Sequence, residues 1–225
     1  MDTGEPKELV RRGYDALSEH YERAFGSETK YGSWIEELLG RLPEAGSVLD
    51  IGCGNGVPVA RSLVAAGHRV TGVDISEVQI RRARELVPGA DLIRADATAS
   101  EFPRESFDAV VCLYTLIHVP LEEQPALLER IASWLRPGGW LLSTTGHRAW
   151  TGTDENWLGG GAAMWWSHAD GETNRSWLVR AGLEVVHEEF VPEGDNGHVL
   201  FWARRPPERH RKAEGGGQRH HPSTG

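Results

Sequence analysis

Cysteine is scarce in this chain of 225 residues, with Cys53 and Cys112 the whole complement. Two thiols do not make the disulfide framework of a small secreted domain, so reduced, intracellular thiols are expected. Long apolar runs are missing as well. No stretch approaches the roughly 20 residues of a membrane span, and the first residues lack the basic-then-apolar pattern of a secretory signal. Positive charge is outweighed, since 24 Lys and Arg against 33 Asp and Glu leave a net charge of −9. That balance disfavours DNA and anionic membranes, whose binding needs clustered cations. The tail histidines His210, His220 and His221 read as solvated side chains, and no metal site is expected. A soluble cytoplasmic protein, monomeric or homodimeric, is the expectation.

What is present is a core-forming composition. Hydrophobic residues are 39% and charged residues 25%, enough for one globular domain of ordinary size. The ends read as loose, with a flexible 1–8 and a disordered tail over 206–225. Between them, strands and helices alternate. SVLD (47–50), RVTGVD (69–74), DLIRAD (91–96), FDAVVCLYT (107–115) and WLLSTT (140–145) read as strands. Helices are expected from Val57, from Ser76 (with Gln79 at a capping-box spacing), over 121–135 and near 173–181. LEVVHEEFV (183–191) and HVLFWARR (198–205) form a closing hairpin pattern. Such alternation implies an α/β, Rossmann-like, doubly wound sheet, mostly parallel, with an antiparallel strand from the C-terminal hairpin.

Ligands of such sheets sit beyond the carboxyl ends of the strands, and three of those ends carry acids: Asp50, Asp74 and Asp96. After Asp50 comes Ile51-Gly52-Cys53-Gly54-Asn55-Gly56, where alternate glycines let the backbone turn sharply and a ligand approach its amides. The spacing G-x-G-x-G differs from the G-x-G-x-x-G of dinucleotide sites, which disfavours nicotinamide-dependent oxidoreduction. An acid beside the turn repels a pyrophosphate but suits an ammonium group. Asp74 is placed to accept from a ribose diol, and Asp96 from an adenine amine. The inferred ligand is an adenosine with a cationic amino-acid arm, as in S-adenosylmethionine.

VLDIGCGNGVPVA, VTGVDIS, DLIRADATASEFP, FDAVVCLYTLIHVP and LRPGGWLLST, in that order, resemble the successive motifs of class I S-adenosylmethionine-dependent methyltransferases of the small-molecule type. The resemblance covers residues 9–205 as a single domain. It implies a seven-stranded sheet with a reversed final hairpin, S-adenosylmethionine as cofactor and S-adenosylhomocysteine as product. It further implies a helical cap over 9–45, a cofactor-binding core over 46–145, an acceptor-side lid over 146–170 and a C-terminal helix and hairpin over 171–205. Asp50 and the backbone of Gly52, Cys53, Gly54 and Gly56 would hold the methionine arm, with the Cys53 thiol a small filler rather than a nucleophile. Asp74 would bind the ribose and Ile75 would pack on the adenine. Asp96 and the Ala97 amide would face the adenine edge, and Leu113 would lie near the sulfonium.

The acceptor side is read from weaker signals. The fourth strand ends LYTLIHVP, without the Asn/Asp-Pro-Pro-aromatic signature of enzymes acting on base or amide nitrogens. With the acidic balance, this favours a small-molecule acceptor over DNA. The stripe Val10, Tyr14, Leu17, Tyr21, Phe25 marks an amphipathic helix. In similar enzymes this region covers the cofactor, which would bring Tyr21 to the cofactor and Tyr14 and Tyr31 to the acceptor; ordinary helix packing explains the same stripe. Residues 146–170 form a long connection holding four tryptophans and Gly159-Gly160-Gly161. Trp150, Trp165 and Trp166 are expected to wall an aromatic or cationic acceptor, with the glycines as a hinge; packing alone is the alternative. His118, His147 and His168 are the candidate bases, again with plain packing as the alternative. O-methylation of an aromatic or natural-product-like acceptor is favoured. A cofactor-binding regulatory or scaffold protein, and methylation of RNA or protein, remain open.

Overall fold

The computed structural model describes residues 4–25, 30–194 and 196–208; the tail histidines lie outside them. Chain order runs α1 (Gly4–Phe25), α2 (Lys30–Arg41), β1 (Ser47–Ile51), α3 (Val59–Ala65), β2 (Arg69–Asp74), α4 (Glu77–Leu86), β3 (Asp91–Arg94) and β4 (Phe107–Cys112). A short 3-10 turn (Leu116–His118) follows, then α5 (Gln124–Trp134), β5 (Leu135–Gly146), β6 (Trp150–Trp157), β7 (Ala162–His168), α6 (Gly171–Arg180), β8 (Glu184–Glu193) and β9 (Asn196–Arg204). Seven strands form one sheet in the order β3-β2-β1-β4-β5-β9-β8. β9 runs antiparallel to both β5 and β8, and the remaining neighbours are parallel. The doubly wound, Rossmann-like sheet of the sequence analysis is therefore the observed one.

Alternation along the central strands builds a core on each face of the sheet. Leu49, Val110, Cys112, Leu141, Phe201 and Ala203 pack with α5 and α6 on one side. Val48, Ala109, Val111, Leu142, Leu200 and Trp202 pack with α2 and α3 on the other. Among the described residues no helix is long and apolar enough to cross a membrane.

Three expectations need correction. Residues 4–8 are not loose, because α1 begins at Gly4 and Lys7 bonds to Asp96, Thr98 and Glu123. Only half of the capping box forms. The Ser76 hydroxyl accepts from the Gln79 amide at 3.1 Å, but the Gln79 side chain turns away to accept from Ser18 of α1 at 2.7 Å. The third concerns 146–170, which is not an irregular connection: β6 and β7 pair as an antiparallel hairpin outside the main sheet. Its glycines form the turn rather than a hinge. Leu158, Gly159 and Gly161 have positive φ, and the Asn156 side chain accepts from the Gly161 amide at 2.9 Å. Turns of that kind fix a hairpin's register.

Candidate functional site

The floor of the site is the turn after β1. Gly52, Gly54 and Gly56 have φ of 70°, 56° and 79°. A β-carbon on Gly52 would stand 1.9 Å from Thr115 Oγ1, and one on Gly56 would stand 2.8 Å from Val87 Cγ2. Dihedral and space both exclude a side chain there. Asp74 ties the turn to β2: its Oδ2 accepts from the Gly54 amide at 2.9 Å and its Oδ1 from the Ser76 amide at 2.8 Å. Burial pushes the Asp74 carboxyl up to about 6, against the pull of those amides. Asp50 is shifted further. It is 4% exposed with its Oδ2 unpartnered, and burial, helped by the charge of Asp74, pushes it up to about 7. A buried carboxylate with open lone pairs is a receptor for a cation or a strong donor.

Above this floor opens a cleft with two lobes, which share Tyr21, Gly52, Gly54 and Leu113. The first lobe, about 740 Å³, is lined by Asp74, Ile75, Asp96, Ala97 and Thr115 from the strand ends and by Lys7, Val10 and Tyr14 from α1. The second, about 1000 Å³, is lined by Asp50, Cys53, Asn55, Phe25 and Tyr31. All four tyrosines of the chain, Tyr14, Tyr21, Tyr31 and Tyr114, line one lobe or both.

The roof is α1, docked through polar contacts to α4. Asp15 Oδ1 accepts from the Ser76 hydroxyl at 2.6 Å and the Val78 amide at 3.2 Å, so a side chain of α1 helps to cap α4. The β6–β7 hairpin packs behind α1 at two glycines. A β-carbon on Gly13 would lie 2.7 Å from the Ala163 carbonyl oxygen, and one on Gly160 would lie 2.1 Å from Leu17 Cδ2. Trp157 meets Tyr14 and Tyr21 at 5.5 and 5.9 Å between ring centroids, and Trp166 meets His118 at 5.6 Å.

His118 closes the first lobe. Its Nδ1 is 2.7 Å from the carbonyl oxygen of Trp165 on β7, and its Nε2 is 3.0 Å from the Tyr14 hydroxyl. A carbonyl only accepts, so Nδ1 carries the proton and Nε2 accepts from Tyr14. Burial takes the imidazole down to about 4 and raises the Tyr14 phenol well above its usual range, so both groups are neutral near pH 7.

Residues 48–139 match the family model of a methyltransferase domain. Over 152 residues the chain is 36% identical to the 27-O-demethylrifamycin SV methyltransferase of Amycolatopsis mediterranei, covering 58% of this chain and 55% of that protein. It is 34% identical over 121 residues to a ubiquinone biosynthesis O-methyltransferase of Bordetella bronchiseptica, covering 51% and 48%. The chain thus spans about half the length of the curated relatives it matches. A crystal structure of an S-adenosylmethionine-dependent methyltransferase from Mesorhizobium loti shares its fold with a TM-score of 0.61 at 26% identity, covering 76% of this chain and 96% of that one. Residues 48–139 thus match a methyltransferase domain, and the chain resembles S-adenosylmethionine-dependent methyltransferases in sequence and fold.

The cofactor of a class I methyltransferase is S-adenosylmethionine, and the donors and acceptors of the cleft suit it. Asp50 offers an open Oδ2 to an ammonium group, and Asp74 keeps a further lone pair on each oxygen for hydroxyl donors. The Cys53 side chain is a filler: a β-carbon on Gly72 would meet its Sγ at 2.9 Å, and burial raises its thiol far above the reactive range. Asp96 lines the first lobe as anticipated, but Lys7 already bonds its Oδ2.

The acceptor-side expectations fare differently. Tyr14 and Tyr31 line the cleft, as does His118. Trp150, Trp165 and Trp166 are not among the lining residues. The hairpin turns the tryptophans into a backing layer, where Trp166 packs against His118 and Trp150 is 49% exposed. His147 and His168 are also off the cleft wall. Their Nδ1 atoms face the carbonyl oxygens of Gly197 and Arg148, each at 2.6 Å, and the His168 ring fills the space beside Gly146. His118 makes a like carbonyl contact, so what sets these two rings apart is that neither lines the cleft. Sequence reasoning missed Lys7, Tyr114 and Thr115. Lys7 had one signal, for it continues the stripe of Val10, Tyr14 and Tyr21 back by three residues.

Proposed function

We propose that the chain transfers a methyl group from S-adenosylmethionine to a hydroxyl of a small aromatic acceptor. The observation that carries this reading is the Tyr14–His118 pair, which opens on the same cleft as the buried, unpartnered Asp50 oxygen. Asp50 would take the ammonium of the methionine arm, with the Gly52–Gly56 turn along its length. Asp74 would take the ribose hydroxyls, and Asp96 with Ala97 the adenine edge, over which Ile75 packs. The bound cofactor supplies a methyl group on a sulfonium, already activated for displacement. What remains for the protein is chiefly to hold the acceptor in line and keep water away. Leu113 and Tyr21, common to both lobes, stand where the two arms of the cleft meet.

The polar group on this wall suits a hydroxyl. With its own proton given to His118 Nε2, the Tyr14 oxygen has only lone pairs to offer a ligand. An acceptor hydroxyl bonded there passes its proton to Tyr14 Oη as the Tyr14 proton passes to His118 Nε2. The two curated relatives are O-methyltransferases, which supports oxygen as the methylated atom. The tyrosine rings supply the flat apolar walls that an aromatic acceptor needs.

Release of S-adenosylhomocysteine with a panel of phenols and catechols tests the reading. Turnover is expected with phenolic acceptors, and Tyr14→Phe and His118→Phe should each lower it about 100-fold or more while cofactor affinity holds. Tight cofactor binding without turnover on any hydroxylated acceptor would replace the enzyme with a cofactor-binding regulator.

A further inference from the structure

Lys7, near the start of α1, spends all three ammonium protons on the opposite rim of the cleft. Its Nζ lies 2.8 Å from Asp96 Oδ2, 2.6 Å from Thr98 Oγ1 and 2.5 Å from Glu123 Oε2, with the side chain only 16% exposed. That rim is itself fixed. The Thr98 amide donates to Asp96 Oδ1 at 2.8 Å, and Arg130 of α5 donates to the carbonyl oxygens of Ala97 and Thr98. Against the cost of burial, the Lys7 ammonium holds the Asp96 carboxyl below its ordinary range. Lys7, Val10, Tyr14 and Tyr21 are three, four and seven residues apart, which places them on one face of α1. All four line the first lobe. An anchor at Lys7 therefore presses the whole stripe over that lobe.

We propose that Lys7 is a positioning residue of the cofactor site, an ionic clasp that keeps α1 closed across the adenine end. The inference rests on assigning the cleft to S-adenosylmethionine. With every proton on Nζ committed, Lys7 has none left to give an adenine, so it acts through α1 and through the orientation of Asp96. Opening the cleft at this end means breaking three charge-assisted bonds together. Cofactor then enters and leaves only when the clasp lets go.

A clasp and a ligand leave different kinetic signatures. Stopped-flow binding of S-adenosylhomocysteine to the wild type and to Lys7→Met, which keeps the stem length and the helix propensity, separates them. Both the association and the dissociation rate constants are expected to rise about tenfold, with the dissociation constant moving less than either. Lys7→Arg, which keeps the charge, should return both rates toward the wild type. Added salt should speed exchange in the wild type but not in Lys7→Met. A rise in dissociation alone would make Lys7 an ordinary ligand and overturn the clasp. Unchanged rates in Lys7→Met, or salt-insensitive exchange in the wild type, would also overturn it. Failure of the wild type to bind S-adenosylhomocysteine at all would instead remove the cofactor assignment, and the clasp with it.

Discussion

Asp50, Gly52, Gly54 and Asp74 come from one strand–turn–helix–strand unit, tied together within it by Asp74, with Thr115 from beyond β4 closing on Gly52. The roof over them is assembled otherwise. Tyr14 meets His118 across 104 residues, and His118 meets the Trp165 carbonyl across 47. Backbone holds the floor, through left-handed glycines and amides that donate to Asp74. Close approach holds the roof, with Gly13 and Gly160 letting α1 and the hairpin touch and tryptophan rings backing the tyrosines. The floor therefore fails at single atoms. The roof, made of helices and rings that can slide by tenths of an ångström, should fail by degrees.

The largest effect should come from Gly52→Ala. The new methyl has a positive φ to adopt and Thr115 Oγ1 only 1.9 Å away, costs that together amount to about 2–5 kcal/mol. Thermal melting should show that loss, and calorimetry should detect no S-adenosylhomocysteine binding. Wild-type affinity in Gly52→Ala would mean that the floor yields as readily as the roof, and the contrast between them would collapse.

That contrast also explains what was legible in the sequence. The sheet and the floor were readable because their signals are local: acids at strand ends, glycines at alternate places, apolar runs of strand length. The roof was misread because the same residues serve opposite ends. Three consecutive glycines describe a loose hinge and a tight hairpin turn equally well, and only the Asn156 contacts distinguish the two. Adjacent tryptophans mark a ligand wall or a packing layer, and α1, lying between the hairpin and the cleft, decides which. The tyrosines took the wall instead, from α1, α2 and the end of β4. His147 and His168 have the chemistry of a base, but the fold leaves neither on the cleft wall. Lys7 sat in a polar leader, whose composition says nothing of three partners about 90 to 116 residues away.

Gly160→Ala probes the roof alone. Its β-carbon would lie 2.1 Å from Leu17 Cδ2, overpacking that typically costs about 1–3 kcal/mol. Leu17 is 1% exposed, so Leu17→Ala is itself destabilising, but the two changes together should cost less than their sum because the second makes room for the first. A double-mutant cycle by denaturant unfolding checks this. Strict additivity would mean that the hairpin does not bear on α1. Because α1 can shift to absorb the strain, cofactor affinity in Gly160→Ala should fall far less than in Gly52→Ala.

The smallest effect separates the floor's two acids from the roof's histidine by pH. In the free protein Asp50 is raised to about 7 and Asp74 to about 6, both chiefly by burial, while burial lowers His118 to about 4. An ammonium bound at Asp50 favours the ionised carboxylate, so binding should release protons near pH 6 and tighten as pH rises through about 7. Affinity for S-adenosylhomocysteine should then weaken roughly tenfold between about pH 7.5 and 5.5, with the change flattened in Asp50→Asn. Stability of the free protein takes the opposite sign. Against an unfolded value of 3.8, the folded Asp50 holds an extra proton up to about 7, so this group favours folding at lower pH and opposes it above that point. His118 stays neutral throughout this range and contributes nothing to the affinity profile. Calorimetry in buffers of different ionisation enthalpy reads the proton release directly. A flat wild-type profile would move the cationic arm away from Asp50, and the floor would lose the feature that most sets it apart from the roof.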